Sequence, residues 1–437
     1  MGFVENSLAF VFVLGVMVLI HELGHFLAAR AFDVRIESFS IGMGPRLIGF
    51  HRGETDYKIC LLPIGGYVKM AGESIGEPTG DPREFLAKPR WQRLIIAAMG
   101  PIFNGVLAVV LLAGLFTTHY ERFAYWSDPP VVASVEPGSS AAAAGVRSGD
   151  LIVAFDGEPM PDWESVRLAE ITAVNKTVPV LIDRDGQRLT VNISIAPEGE
   201  QGVGVAGWNE AAAITLEPRP GSAAEKAGIH GGDIVRRIGE RRILQVDDAL
   251  EEIKGSEGKP LLLQLERDGR LMNLAVTPEL DSDAGEEAWR IGAMIGPERT
   301  VSELGFGEAV EKSVETNLTN VTLTFRVLRG LIEQRMSPKA LEGPVGIARL
   351  SGEAARRGWP DMVLLMSNIS LQLGIFNLLP IPILDGGVIV MLLFESLIRR
   401  DVSLAVKERI MQVGLVFLML LFAFVMYNDI LKSLPSS

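Results

Sequence analysis

Long apolar segments lie at both ends of the chain and enclose a more polar middle region. Four segments are nearly free of charged side chains and reach the roughly 20 helical residues that cross a bilayer. They are residues 7–29, 94–118, 362–384 and 410–427, and with their flanking residues the membrane portions extend over 1–30, 94–118, 362–398 and 410–430. The pattern predicts a polytopic α-helical membrane protein with four transmembrane helices. No basic residue precedes the first segment, so we interpret it as a retained helix rather than a signal peptide.

The polar middle region contains an internal repeat at an offset of 83 residues. The segment PGSSAAAAGVRSGD at residues 137–150 aligns with PGSAAEKAGIHGGD at residues 220–233, with eight of fourteen positions identical. At the same offset, DRDG beginning at Asp183 aligns with ERDG beginning at Glu266. In each copy a glycine-rich turn precedes a short helix, a strand, a second helix and an alternating hairpin. The repeat predicts two inserted α+β domains, over residues 127–200 and 213–280.

The repeated motif closely resembles bacterial PDZ domains of the circularly permuted type. The resemblance implies that each domain receives an extended peptide or a chain end by adding it to the edge of a sheet. The alternative interpretation is a rigid external cap with an empty groove.

Two further segments have patterns of their own. Residues 300–361 are expected to form an amphipathic helix and a linker, because apolar side chains recur at intervals of three and four. These side chains are Phe306, Val310, Val314, Leu318, Val321, Phe325, Leu328 and Ile332. We expect this helix to lie against the repeats or on the outer membrane surface. Residues 31–93 contain strand-like runs between glycine-rich turns, which predicts a membrane-associated β loop followed by an amphipathic segment at 81–93.

Charge is unevenly distributed along the chain and predicts its orientation. Residues 118–361 carry 26 basic and 39 acidic side chains, which accounts for the net charge of −13, and the rest of the chain carries 15 of each. An acidic insert without a basic run argues against nucleic acid as a partner, and one cysteine, Cys60, excludes an internal disulfide framework. Ten Lys and Arg at residues 30–93 and four at 399–409 predict that these loops are cytoplasmic. Both termini and the insert are then external, which means periplasmic in a Gram-negative cell.

The strongest chemical signal is an HExxH motif, His21-Glu22-Leu23-Gly24-His25, inside the first apolar segment. Four residues along a helix return to nearly the same face, so both imidazoles can bind one metal ion with Glu22 beside them. Zinc takes neutral imidazoles and lowers the pKa of bound water, and the carboxylate then accepts the proton. The alternative is a pair of buried histidines satisfied by neighbouring carbonyls. Ionisable groups within a membrane span, however, mark functional sites by default.

A third protein ligand is expected, because catalytic zinc usually has three and keeps one open position. His51 and Cys60 belong to the cytoplasmic loop and His119 lies at the opposite end of a span, so Asp385 is the best candidate. It follows NLLPIPIL at residues 377–384, where two prolines prevent a regular helix. Broken backbone at membrane depth is tolerated only inside protein or beside a wet cavity, and hydrolysis requires such a cavity.

The HExxH motif, NxxPxPxxDGG at residues 377–387 and the tandem PDZ-like domains together resemble the site-2 protease family of intramembrane metalloproteases. This resemblance covers nearly the whole chain. It implies that Zn²⁺ is held by His21, His25 and Asp385, that Glu22 is the catalytic base, and that Asn377 places or polarises the substrate carbonyl.

The same resemblance implies the biological setting. It indicates a bacterial inner-membrane enzyme, active near the cytoplasmic leaflet, that cleaves single-span proteins of the anti-sigma factor type after a first external cut, and also remnant signal peptides. GPIFN at residues 100–104 is similar to a further family feature. Taken alone, that motif is equally explained by helix packing through small residues.

A glycine-rich turn of the β loop is a candidate substrate-binding element. A peptide bond inside a helix is shielded by its own hydrogen bonds, so a protease needs its substrate locally extended, and an edge strand would hold it so. Similar proteins carry a membrane-dipping β loop here, and Gly42, Met43 and Gly44 are therefore assigned to substrate binding together with Asn377. A plain structural hairpin is the alternative.

Two other functions compete with the protease. A non-catalytic membrane adaptor would hold partners through its repeats and keep the histidines as vestiges, but it has no use for Glu22. A metal transporter would use the ligands but leaves the repeats unexplained.

Overall fold

The computed structural model describes residues 2–73, 80–198, 203–210, 212–281, 288–336 and 342–433. The chain divides into two compact units. Unit 1 consists of Met1–His119, Glu303–Arg329 and Ser337–Ser437, and unit 2 consists of Tyr120–Ser302 and Gly330–Met336. The long apolar helices lie in unit 1, and the internal repeat lies in unit 2.

Unit 1 begins with two long apolar helices that are joined by a β hairpin. These elements are α1 (Gly2–Ala31), β1 (Ile36–Arg52), β2 (Thr55–Met70) and α2 (Arg90–Phe116). The helices approach closely at Gly24, where a Cβ atom would lie 2.3 Å from the carbonyl oxygen of Met99. Strands β1 and β2 pair antiparallel, with several irregularities in register. The strands predicted for this loop are therefore confirmed.

The hairpin exposes an apolar surface, and the segment after it is partly buried. Exposed apolar side chains of the hairpin are Met43, Leu47, Ile48, Phe50, Ile59, Leu61 and Leu62. A contiguous surface of this kind suits contact with lipid or a partner. Residues 81–93, where an amphipathic surface segment is expected, leave Trp91 exposed. They contain a short 3-10 turn, Phe85–Ala87, whose Phe85 is buried in a cluster with Phe26 of α1, and α2 then starts at Arg90.

Unit 2 is built from short strands and four short helices, in an order that repeats. Its elements are β3 (Tyr120–Phe123), β4 (Ser134–Val135), α3 (Ser140–Ala143), β5 (Leu151–Phe155), β6 (Glu158–Pro159), α4 (Trp163–Thr172), β7 (Thr177–Arg184), β8 (Gln187–Ser194), β9 (Ala196–Glu198), β10 (Val203–Val205), β11 (Trp208–Asn209), β12 (Ile214–Pro218), α5 (Ala223–Lys226), β13 (Asp233–Ile238), β14 (Arg241–Arg242), α6 (Val246–Gly255), β15 (Leu261–Arg267), β16 (Arg270–Val276), β17 (Glu279–Asp281), β18 (Ala288–Arg290), β19 (Ala293–Pro297) and β20 (Arg299–Ser302). The predicted order of short helix, strand, helix and hairpin appears twice, as α3-β5-α4-β7-β8 and as α5-β13-α6-β15-β16.

Each copy of the repeat has a sheet and a hydrophobic core of its own. The sheet of the first copy has the order β6-β5-β7-β8, and its core contains Trp163 and Trp208. The sheet of the second copy has the order β16-β15-β13-β12-β19, with β14 paired to β13, and its core contains Ile229 and Leu263. Short helices begin in the same way in both copies, because Ser139 and Ser222 accept hydrogen bonds from backbone N–H groups of α3 and α5.

The same buried ion pair closes both copies. Arg184 donates to both carboxylate oxygens of Asp150 at 2.7 Å and to the carbonyl oxygen of a glycine at 2.8 Å. Arg267 binds Asp233 in the same manner at 2.7 and 2.6 Å. Both aspartates are 1% exposed. The arginine of each RDG turn therefore fixes the turn to the Gly-Asp end of the repeated motif.

These ion pairs hold the pKa of both aspartates below its usual range. The hydrogen bond from Arg184 lowers the pKa of Asp150 most. Burial raises the pKa of Asp233. The hydrogen bonds from Arg267 and from the backbone of His230 lower this pKa by more than burial raises it. A carboxyl whose folded pKa is depressed contributes stability above its unfolded pKa of about 4. That contribution disappears as the pH falls through the folded value, so the repeats lose stability in acid.

The C-terminal part of the chain adds further helices. They are α7 (Phe306–Ile332), α8 (Pro344–Arg357), α9 (Trp359–Asn377), α10 (Asp385–Ile398) and α11 (Leu404–Ser433). Within the described residues, three helices are long and apolar enough to cross a membrane: Val4–Ala31, Arg90–Phe116 and Ala405–Asp429. These correspond to the first, second and fourth predicted spans.

The third predicted span is divided between α9 and α10. Helix α9 ends at Asn377, and the chain turns irregularly until α10 begins at Asp385. Within the break Ile383 adopts φ +89°, which is unusual for a β-branched residue. The glycine after Asp385 packs against the break, because a Cβ atom at Gly386 would lie 2.2 Å from the carbonyl oxygen of Leu379. The predicted interruption by proline is confirmed.

Helix α7 forms as predicted but packs differently. Ser313 donates to the carbonyl oxygen of Val109 in α2 at 2.7 Å, and the amide nitrogen of Asn320 lies 3.2 Å from the amide oxygen of Asn368 in α9. Much of the apolar stripe is exposed, at Phe306, Val314, Leu318, Phe325 and Ile332. The helix thus turns Ser313 and Asn320 toward the membrane helices, where interhelical hydrogen bonds add to the apolar contact of Val321, and the exposed part of its apolar stripe points outward.

The expected linker contains a further helix, α8. It packs against α1, and its first turn is capped by a distant residue, since Gly346 donates its backbone N–H to Asp429 of α11 at 2.9 Å. Asp429 is 3% exposed. A buried carboxylate at a helix N-terminus is favourable because the free N–H groups there carry partial positive charge.

We expect Arg184→Ala to loosen the first copy of the repeat and leave the second unchanged. The substitution leaves a buried carboxylate without its cation, which costs about 3 kcal/mol. Hydrogen exchange of the full-length protein in detergent should show the amides of β5 and β7 exchanging roughly 100-fold faster, while those of β13 and β15 stay protected. Arg267→Ala should give the converse pattern. Arg188→Ala, at an exposed position of β8, is the control, and equal exchange in Arg184→Ala and the unaltered protein would contradict the assignment.

Candidate active site

The HExxH motif places both histidines on one buried face of α1. His21 and His25 are 7% and 8% exposed, and their Nε2 atoms are 3.3 Å apart. Their rings meet edge to face with centroids 4.9 Å apart. The helical spacing of four residues therefore brings two imidazole nitrogens to one point, as the sequence predicts.

Asp385 completes a three-residue cluster at this point. Its Oδ2 lies 3.1 Å from His21 Nε2, and its Oδ1 lies 3.4 Å from His25 Nε2. The break between α9 and α10 makes this possible, because Asp385 is the first residue of α10 and faces α1 from the N-terminal end of α10. In the described part of the chain, these three residues are the one His, Cys, Asp and Glu group whose ligand atoms all lie within 4.8 Å of one another.

The distances within the cluster fit a tetrahedral metal ion. Zinc binds imidazole nitrogen and carboxylate oxygen at 2.0–2.2 Å, and ligand atoms at neighbouring corners of such a tetrahedron are about 3.3 Å apart. The two imidazole nitrogens are 3.3 Å apart, and each lies 3.1 or 3.4 Å from a different oxygen of Asp385. Asp385 Oδ2 is also buried and has no hydrogen-bond partner among the described residues. Because two imidazoles and a carboxylate converge on one point, the residues fit a cation.

Helix α2 fixes the orientation of both imidazoles. His25 Nδ1 lies 2.8 Å from the carbonyl oxygen of Ile96, so Nδ1 carries the proton and Nε2 offers its lone pair to the cluster. His21 Nδ1 lies 3.2 Å from the amide nitrogen of Asn104, whose amide oxygen has no hydrogen-bond partner in the described structure. A half turn of the amide preserves its shape and brings that oxygen to His21 Nδ1–H. Asn104 then orients His21 as Ile96 orients His25.

A glycine of α2 provides the space for the imidazoles. A Cβ atom at Gly100 would lie 2.3 Å from His25 Nε2 and 2.8 Å from His21 Nε2. Contacts so short do not occur between real atoms, so any larger residue would displace the ligand atoms themselves. The GPIFN motif therefore serves the site directly through Gly100 and Asn104, and the motif by itself does not indicate these two roles.

Glu22 lies beside the cluster and faces β2. A Cβ atom at Gly66 of β2 would lie 3.3 Å from Glu22 Cγ, so this glycine allows the strand to approach the carboxylate. Glu22, Asn377 and Met43 line one cavity of about 590 Å³ together with His21, His25 and Asp385. Most of the other wall residues are apolar. A water molecule and an extended peptide segment fit this volume.

The other predicted site residues take different places. Gly42 and Gly44 flank Met43 in β1 with φ +85° and +86°. A Cβ atom at Gly42 would lie 2.5 Å from the carbonyl oxygen of Leu62, so this glycine serves the pairing of β1 with β2. The histidine and cysteine that were set aside also lie elsewhere: His51 is 3.6 Å from Asp56, and Cys60 is buried with its Sγ 3.2 Å from Ser40 Oγ.

Two imidazoles, a carboxylate with free lone pairs and a second carboxylate at an open cavity are the components of a metallopeptidase site. A family model described as Peptidase family M50 matches residues 9–421. The chain therefore belongs to Peptidase family M50, the site-2 protease family, and it is a zinc metalloendopeptidase of the membrane. The resemblance drawn from the sequence motifs is confirmed.

Individual relatives match along nearly their whole length. The chain is 31% identical to Protease RseP of Yersinia pestis, over 98% of this chain and 99% of that protein. It is 30% identical to Regulator of sigma-E protease RseP of Escherichia coli K12, again over 98% and 99%. A protein of Ralstonia nicotianae whose name assigns it to the zinc metalloproteases is 31% identical over 97% of both chains. Among solved structures, the PDZ domain of an SdrC-like protein from Listeria innocua aligns with 23% identity and a TM-score of 0.18, over 19% of this chain and 93% of that one.

We expect Gly100→Ala to lower zinc affinity by about 100-fold, because the added methyl group occupies the position of the ligand nitrogens. The measurement is zinc content per protein after dialysis against chelators of graded strength. Gly105→Ala on the same helix is the matched control, since a Cβ atom there meets nothing within 4 Å. Equal zinc retention by the two variants would show that Gly100 does not shape the site.

Proposed function

We propose that this protein is an intramembrane zinc endopeptidase that hydrolyses a peptide bond within or near the transmembrane segment of single-span membrane proteins, in regulated intramembrane proteolysis. The observation that carries the proposal is the convergence of three lone-pair ligands, one of them an orphaned buried carboxylate oxygen, on a cavity that Glu22 also lines. Family membership supports the same chemistry.

In this proposal His21, His25 and Asp385 would hold Zn²⁺. Zinc supplies Lewis acidity, which lowers the pKa of a water molecule and polarises a carbonyl. Glu22 accepts the proton from the attacking water and passes it to the leaving amine. Asn377 donates its side-chain N–H to the substrate carbonyl oxygen, where negative charge develops. The apolar cavity walls limit the water that competes for these polar groups.

Strand β2 is the proposed guide for the substrate. Tyr67, Val68 and Met70 of β2 line the cavity on the side of Glu22, and β2 pairs with β1 on its other edge. A substrate segment added along this strand would be held extended, with its peptide groups exposed to attack. Met43 of β1 would contact the same segment, and Gly42 and Gly44 would set the shape of that turn.

The proposed substrates are single-span proteins of the anti-sigma factor type, and remnant signal peptides form a second class. Relatives named as regulators of sigma-E support the first class. The two copies of the repeat, at residues 127–200 and 213–280, would act as PDZ-like domains that bind a trimmed chain end or block substrates with bulky external domains. Cleavage would then depend on a preceding external cut.

The proposed setting is the bacterial inner membrane, with four crossings and the active site near the cytoplasmic leaflet. The pair α9 and α10 supplies the third crossing in this arrangement. Basic residues at 30–93 and 399–409 support a cytoplasmic position for these loops, and the acidic repeats and both termini lie on the periplasmic side.

We expect Glu22→Gln to reduce cleavage of a model single-span substrate by about 1,000-fold, because the amide cannot accept a proton. Zinc content should stay unchanged, since Glu22 is not among the proposed ligands. Glu37→Gln is a suitable control, because that carboxylate lies in β1 and pairs with Lys69. Undiminished cleavage by Glu22→Gln at normal zinc content would refute the assignment of Glu22 as the catalytic base.

Labelling of single cysteines tests the orientation. In a Cys60→Ser background, we expect Arg52→Cys to react with a membrane-impermeant thiol reagent only from the cytoplasmic side, because it lies in the basic hairpin loop. Asp185→Cys, at an exposed turn of the first repeat, should react only from outside. The opposite pattern of labelling would refute the proposed topology.

A further inference from the structure

The active-site cavity contains a second group of charged side chains that the proposed hydrolysis does not use. Arg93 of α2, Glu395 of α10 and Lys407 of α11 line the same cavity as the HExxH residues. Arg93 and Glu395 are 6% and 0% exposed. Charged groups so far from water are costly unless they are paired and fully hydrogen-bonded. We therefore expect this buried group of charged side chains in the cavity to have a function.

Pairing balances the charge of Glu395 but leaves hydrogen-bonding capacity unused. Glu395 Oε1 accepts from Lys407 Nζ at 2.6 Å and from the backbone N–H of Val402 at 2.9 Å. Arg93 lies 3.9 Å from Asp401, which is beyond hydrogen-bonding distance. Glu395 Oε2 and Arg93 Nε are buried, and neither has a hydrogen-bond partner in the described part of the chain. Two residues that line one cavity therefore each keep an unpaired polar atom.

An amide group matches these two atoms better than an ion does. A carboxylate would satisfy Arg93 but would face the free lone pairs of Glu395. A cation would satisfy Glu395 but would face Arg93 and Lys407. An amide offers a carbonyl oxygen to the guanidinium and an N–H to the carboxylate, and both hydrogen bonds are strengthened by the charged partner.

We propose that Arg93 and Glu395 form a subsite that binds one amide group of the substrate at a fixed distance from the scissile bond. This inference rests on the proposed endopeptidase function and adds a specificity determinant to it. Two sources supply the amide: the side-chain carboxamide of Asn or Gln, and a peptide group of the extended main chain.

The length of α10 sets the distance. Asp385 and Glu395 are ten residues apart on this helix, which corresponds to about 15 Å along its axis at 1.5 Å per residue. Val388, Met391 and Leu392 lie between them and also line the cavity, so the wall between the two polar ends is apolar. An extended peptide advances about 3.3 Å per residue. The subsite therefore binds the substrate at a position four to five residues from the scissile bond, on the cytoplasmic side in the proposed orientation.

Such a subsite would help to keep the substrate unfolded. A transmembrane segment that leaves its helix loses internal hydrogen bonds, and each unpaired backbone group is costly away from water. Arg93 and Glu395 would replace one set of these hydrogen bonds at the far end of the cavity, while β2 replaces others near Glu22. The extended state is then held at both ends of the segment that enters the site.

The test uses the full-length protein and a model single-span substrate whose sole carboxamide is one Gln, placed in turn three to seven residues from the scissile bond on the cytoplasmic side. Gln→Leu changes the side chain, and a backbone ester in place of one peptide bond removes a main-chain donor. Cleavage is measured as kcat/KM, and binding is measured as Kd with the Glu22→Gln protein, which does not depend on turnover. Arg93→Met and Glu395→Gln are the test variants. Arg90→Met is the matched control, because Arg90 pairs with Asp401 at 3.0 Å and is not among the lining residues.

We expect one of the two substrate changes, at four or five residues from the scissile bond, to weaken binding and kcat/KM by about tenfold in the unaltered protein and in Arg90→Met. The effect of Gln→Leu should shrink in both Arg93→Met and Glu395→Gln, because each variant loses one of the two charge-assisted hydrogen bonds to the carboxamide. The effect of the ester, which removes the N–H that binds Glu395, should shrink in Glu395→Gln. An effect of Gln→Leu identifies a side-chain carboxamide, and an effect of the ester identifies the main chain. The proposal is overturned if neither change matters, or if Arg93→Met and Glu395→Gln respond as the unaltered protein does. Zinc content shows that the variants are folded, and a failure to bind or cleave any substrate would instead refute the proposed function.

Discussion

Convergent lone pairs are the constraint on which the membrane unit depends. The Nε2 atoms of His21 and His25 and the carboxylate of Asp385 face one another within 3.4 Å. Because these groups can act together as ligands of one cation, metal binding is coupled to the assembly of α1, α2 and α10. The apolar helices by themselves gain little from association in lipid, since lipid tails are as apolar as they are. The polar centre therefore gives the bundle its specific geometry.

Close approach of backbones makes this centre possible. Gly24 brings α1 against α2, Gly100 leaves room for the imidazoles, and Gly374 lets α9 approach the carbonyl oxygen of Pro101. At these positions the absence of a side chain matters more than backbone freedom. Serines then join the same helices, because Ser367 and Ser370 of α9 donate to carbonyl oxygens of α2 at 2.9 and 2.8 Å. Small and hydroxyl side chains thus add close backbone contacts and hydrogen bonds to the apolar packing between these helices.

Unit 2, which contains the repeat, is stabilised by different interactions. Its two copies have cores of Val, Ile, Leu and Trp and closing ion pairs of Asp with Arg, as expected of a protein in water. Helix α7 combines both environments, since Ser313 and Asn320 bond to membrane helices while its apolar stripe faces outward. An amphipathic pattern identifies a helix but does not show which of its faces contacts protein. In water the apolar face packs against protein, whereas in lipid the apolar face can be exposed and the polar face can pack against protein.

The sequence by itself determined the local elements and the ligand chemistry. HExxH fixes two histidines on one helical face, two prolines end α9 before Asp385, and the 83-residue offset defines the repeat, because each depends on short-range geometry. Only the tertiary structure decided which distant groups meet these residues. Asn104 behind His21, the carbonyl oxygen of Ile96 behind His25, and Arg93 with Glu395 at the far end of the cavity come from segments up to 300 residues apart. These contacts depend on how the helices pack against one another. The spacing of residues within one segment carries no information about that packing.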